Sequence, residues 1–103
     1  MDNMILVDID GNLGDEEVRA RFFSVKALLW PDRKWDYRFF LSPSGRGWHF
    51  IATIFGREIP AKEIVLAQLL CGSDRLRELA NLRRIRDGVK DWNVLFKTRR
   101  ERL

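Results

Sequence analysis

Six residues, Ser42-Pro43-Ser44-Gly45-Arg46-Gly47, separate two runs of strand-forming residues, 35–41 and 48–55. A polar, glycine-containing connection this short predicts an antiparallel hairpin. In the second run Trp48, Phe50, Ala52 and Ile54 are all apolar, whereas His49, Ile51, Thr53 and Phe55 are mixed. Alternate residues of a strand face opposite sides, so the uniformly apolar set marks the side covered by helices. The mixed set then marks an open side, and the only histidine of the 103 residues lies on it.

The rest of the chain fits around that hairpin. Residues 4–10 form a first strand, ended by Asp10-Gly11-Asn12. Asp15, Glu16 and Glu17 suit the start of a helix, and Val18, Phe22, Val25 and Leu29 recur at helical spacing until Trp30-Pro31. Pro60 opens a second helix over 61–71, apolar nearly all round and expected to be buried. Gly72-Ser73 breaks it, with Ser73 as N-cap of a third helix over 74–87. That helix offers an apolar stripe of Leu76, Leu79, Ala80, Leu82 and Ile85, expected to pack inward, with Arg77, Asn81 and Arg84 opposite. Trp92 to Phe96 reads as a last strand.

The predicted class is therefore α+β, a ferredoxin-like or RRM-like βαββαβ domain over 1–98 with a basic tail, 99–103. Its sheet would be antiparallel and four-stranded, with one extra helix before the last strand. Strands one and three would be central neighbours, and strand four would lie on the first strand's other side.

Charge is uneven. The net charge is +4, yet from Ser73 onward ten Lys/Arg face five acids. A basic C-terminal third suggests a polyanionic partner, DNA more than RNA, through Arg77, Arg84, Arg99 and Arg100. No apolar run has the ~20 residues of a membrane span. One cysteine, Cys71, precludes an internal disulfide and fits a reducing cytoplasm.

Asp8 and Asp10, two apart on the first strand, share a face, and by parity it is the face of His49. The four-stranded topology adds Asp91 at the same end, whereas sequence spacing offers Asp74 as the third acid. Crowded carboxylates repel unless a cation or an arginine joins them, so a metal ion is one expectation for this end of the sheet, Mg²⁺ or Mn²⁺ if the site is catalytic. Neutralising Asp8 or Asp10 should then stabilise the metal-free protein by about 1 kcal/mol. Zinc is not expected, with one His and one Cys and no ligand spacing.

Asp8-Ile9-Asp10 followed by Ser44-Gly45-Arg46-Gly47-Trp48-His49 resembles the first two motifs of the archaeo-eukaryotic primase (primase-polymerase) superfamily. The resemblance implies an RRM-like palm, Asp8 and Asp10 as metal ligands, and Ser44, Arg46 and His49 as contacts to an incoming nucleotide's phosphates. It implies a replication protein, with metal-dependent nucleotidyl transfer at Asp8, Asp10 and His49 if the site is active. The chain is also similar to small proteins of archaeal viruses and plasmids through Gly72-Ser73-Asp74-Arg75-Leu76-Arg77 and Asn93-Val94-Leu95-Phe96. Two other readings stay open. Arg46-Gly47-Trp48-His49-Phe50-Ile51 partly fits the strand-three signature of an RNA-binding RRM, which needs Trp48 and Phe50 on the open face. A structural or inhibitory viral protein would instead form a homodimer through its sheet.

Overall fold

The computed structural model describes residues 2–10, 15–41 and 47–93, with the backbone alone at Asp2, Asp10, Asp15, Phe40 and Leu41. Three strands and three helices follow in the order β1 (Asp2–Asp10), α1 (Asp15–Leu29), β2 (Trp35–Leu41), β3 (Gly47–Phe55), α2 (Ala61–Leu70) and α3 (Arg75–Arg86). β3 lies in the middle of an antiparallel sheet ordered β1-β3-β2.

The parity of β3 governs the packing. Phe50, Ala52 and Ile54 are fully buried together with Ile5, Val7 and Ile9 of β1. Val18, Phe22 and Val25 of α1 and Ile64 and Ala67 of α2 close the core over that face. Phe22 is its centre, with its ring 4.4 Å from Phe50 and 5.3 Å from Trp35. The start of α2 is tied to the end of α1 by Trp30 Nε1, which donates to Glu63 Oε2 at 2.5 Å. Asn3 adds a clamp: its Nδ2 donates to the carbonyls of Ile54 and Arg57, and its Oδ1 accepts from Ile59 N.

The four-stranded sheet is corrected to three strands among the described residues. Of the run expected as strand four, Trp92 and Asn93 are not in a strand, and 94–96 lie outside the described residues. The reason lies at the outer edge of β1. Its groups there are already taken: Leu6 N–H by Gln68 Oε1, Asp8 N–H by Ser73 Oγ, and Leu6 C=O by Arg77 Nη1. Asp8 C=O accepts from Asp74 N, and Met4 C=O accepts from Asn93 Nδ2. Side chains and a turn do there what a fourth strand would do, and they cover an otherwise exposed edge.

This edge also explains why α3 is rotated from its sequence reading, with Leu76 and Leu79 turned out while Ala80, Leu82 and Ile85 are half-buried. Glu78 and Asn81 are fully buried, whereas Leu76 is 70% and Leu79 44% exposed. An unsatisfied buried backbone group costs on the order of 1–3 kcal/mol. Several such groups outweigh two leucines, worth about 1.5–3 kcal/mol each if fully buried. The polar stripe therefore goes inward. α2 departs from expectation as well, since Leu66, Leu69 and Leu70 are exposed beside its buried Ile64, Val65, Ala67 and Gln68.

The link between the two helices sets this orientation. Gly72 has φ +98°, and a Cβ there would lie 2.5 Å from the Arg21 guanidinium. The N-cap of α3 is Asp74, whose carboxylate accepts from Leu76 N, and not Ser73. Ser73 is thereby left to bridge Asp8 N and Glu78 Oε2.

Cys71 is buried in the same link, and desolvation pushes its thiol up to about 12, against a smaller opposing pull from Arg21. Only the thiolate is nucleophilic. A disulfide reagent at mild alkaline pH is therefore expected to leave the native protein unmodified and to react fully once urea unfolds it. Among the described residues no helix is long and apolar enough to cross a membrane.

Candidate metal and phosphate site

Antiparallel register sets Asp8 directly opposite His49, and Asp10 opposite Gly47. Directly opposed residues project to the same face with their Cβ atoms about 5 Å apart. The outcome is an Asp8 Oδ1 to His49 Nε2 distance of 3.4 Å on the face away from α1 and α2. The imidazole is buried, with 5% of its side chain exposed, while the Asp8 carboxylate is 28% exposed. The histidine is thus held firmly, and the carboxylate keeps a solvent-facing side.

Arg77 approaches the same carboxylate from α3. Its guanidinium is pulled below the usual arginine range by burial, against opposing attraction from Glu78 and Asp8. Nη1 donates to Leu6 O, Ser73 Oγ and Glu78 Oε2. Glu78, fully buried, also accepts from Gln68 Nε2 and Asn81 Nδ2. Arg84 continues the chain, donating to Asn81 Oδ1 and the carbonyl of Trp92. Arg77 and Arg84, expected as phosphate contacts, are therefore engaged inside the molecule, and Arg77 sits beside Asp8 as a structural cation. With His49 and Arg77 next to it, Asp8 is attracted as well as repelled, so the stabilisation expected from Asp8→Asn no longer follows.

The third-acid candidates part company. Asp91 lines a cleft beside β1 with Asn3, Met4, Leu6, Glu58 and Trp92. The chain leaves α3 towards the first half of β1, where Asn93 Nδ2 donates to the carbonyl of Met4. Asp74 is adjacent through its backbone, but its carboxylate caps α3. Among the described residues, no three His, Cys, Asp or Glu side chains converge as a metal centre. The side chain of Asp10 and the whole of Ser44, Arg46, Arg99 and Arg100 lie outside the described residues.

The donors that do meet fit a small divalent cation. A carboxylate oxygen and an imidazole nitrogen 3.4 Å apart can both reach one ion at ordinary bond lengths of about 2.1 Å. One oxygen and one nitrogen donor are a pair that first-row divalent ions accept, Mn²⁺ among them.

The polar network of Gln68, Ser73, Glu78 and Asn81 was missed by sequence reasoning. Its signal was present in the polar spacing of Arg77, Asn81 and Arg84, which marks one side of α3 without saying that the side faces inward. Compared with known proteins, the chain matches no family model, no curated protein and no solved structure.

Proposed function

We propose that this is a nucleic-acid-binding replication protein whose open sheet face carries a divalent-metal site for phosphate at Asp8, Asp10 and His49. The observation that carries the reading is the cross-strand pairing of Asp8 with a buried His49, 3.4 Å apart, next to the glycine-rich connection. The reading draws as well on the resemblance of Asp8-Ile9-Asp10 and the segment from Ser44 to His49 to motifs of the primase-polymerases. The bound cation would supply positive charge for phosphate oxygens. Asp8, Asp10 and His49 would hold it, and Ser44 and Arg46 would add contacts from the loop. Nucleotidyl transfer is the chemistry such a site could serve.

The RNA-binding alternative with stacking aromatics loses its residues, because Phe50 is fully buried and Trp48 packs against the core. Fluorescence anisotropy of a labelled single-stranded oligonucleotide tests the proposal. Mn²⁺ is expected to tighten binding relative to EDTA in the wild type and to have no effect in Asp8→Asn. Arg99→Ala/Arg100→Ala is expected to weaken binding of all sequences and to flatten the salt dependence. Binding that is absent, or equal with Mn²⁺ and EDTA, contradicts the reading.

A further inference from the structure

We infer that the free edge of β2 is a homodimer interface, pairing with β2 of a second copy about a two-fold axis through Tyr37. β2 is the outer strand of the sheet on that side, and no strand among the described residues pairs with its outer edge. Which groups point outward follows from the inner ladder. Phe55 N donates to Lys34 O, so even-numbered residues turn their backbone groups towards β3. Trp35, Tyr37 and Phe39 therefore turn theirs out. Tyr37 N–H donates locally, to the Asp36 carboxylate at 2.8 Å.

Outward residues must pair with outward residues, which leaves three symmetric registers near the strand's middle. Centring the axis on Asp36 opposes Asp36 to its own copy and Lys34 to Arg38. Centring it on Arg38 opposes Arg38 to its own copy. Both set like charges face to face, which is unfavourable. Centring on Tyr37 opposes Asp36 to the partner's Arg38 twice, and both side chains are exposed and on the open face. On the other face the same register sets Trp35 opposite Phe39 and Tyr37 opposite itself. These rings already form a half-buried row, with Trp35 stacked on Tyr37 at 4.8 Å and Tyr37 edge-on to Phe39 at 5.9 Å. Phe23 of α1 flanks the row and is 42% exposed. Charges placed solely to repel another edge would share one sign; here the alternation is self-complementary.

The consequence is a continuous six-stranded sheet. A two-fold axis between antiparallel strands stands perpendicular to the sheet, so both open faces lie on the same side. The inference is independent of what the Asp8–His49 pair binds.

Sedimentation equilibrium with charge variants tests it. The wild type is expected to approach twice its 12.2 kDa at high protein concentration. Asp36→Arg and Arg38→Asp each set two like-charge pairs across the axis and should weaken dimerisation about tenfold or more. Mixing the two variants restores opposite charges and should yield a heterodimer, and the double swap Asp36→Arg/Arg38→Asp alone should restore the homodimer. Circular dichroism of each variant separates loss of pairing from loss of fold, and recovery on mixing requires both to be folded. A wild type that stays monomeric overturns the inference. So do single variants that dimerise as the wild type does, or folded single variants whose mixture stays monomeric.

Discussion

Glu78→Ala is expected to cost about 3–5 kcal/mol, because it leaves the Arg77 guanidinium buried without its counter-ion. The side chain of Glu78 has no exposed surface, and that of Arg77 has 11%. The substitution also removes the acceptor for Gln68, Ser73 and Asn81. A domain of this size has a total stability of about 5–15 kcal/mol, so the variant should be marginal or unfolded. Urea denaturation followed by circular dichroism measures the effect. The joint replacement Arg77→Met/Glu78→Leu should cost less than Glu78→Ala, since neither charge is then buried alone. If Glu78→Ala instead costs no more than an ordinary surface change, the inward polar stripe of α3 is wrong.

Phe22→Ala should cost a similar amount, about 3–5 kcal/mol, for a different reason. Phe22 is fully buried and its ring contacts those of Phe23, Trp35, Tyr37 and Phe50. Removing it opens a cavity where α1 packs on β2 and β3. By contrast Leu76→Gln, at a leucine that is 70% exposed, should change stability by no more than about 0.5 kcal/mol. The same denaturation series measures both. The ordering Phe22 far above Leu76 separates the observed packing from the one in which α3 buries its leucines.

The hairpin, α1 and the two faces of the sheet were legible because their signal is local. Period-two alternation in β3 fixes its own parity, and the apolar set Ile5, Val7 and Ile9 fixes that of β1. Together they bring Asp8 and His49 to one face with no knowledge of the remaining fold. The orientation of α3 was not legible by the same means. An amphipathic reading assumes that the apolar stripe goes inward, which holds when the helix packs on a sheet face. α3 instead meets a strand edge, where Leu6 and Asp8 present peptide groups that only Gln68, Ser73, Asp74 and Arg77 can satisfy. The expectation for Asp91 rested on a fourth strand, whose place at β1 is taken by those contacts.

The claim on which the functional reading depends is that Asp8 and His49 share a divalent cation. Thermal unfolding with increasing Mn²⁺, read against EDTA, tests it most directly, because an ion bound only by the folded protein raises its melting temperature. At a free concentration of 100 times Kd the gain is about 2.7 kcal/mol, a rise of roughly 10–20 °C for a domain of this length. The wild type should show that rise, and Asp8→Asn and His49→Gln should not, whatever their stability in EDTA. A wild type indifferent to Mn²⁺, or variants that shift as much as it does, would show that Asp8 and His49 form a structural pair and no metal site.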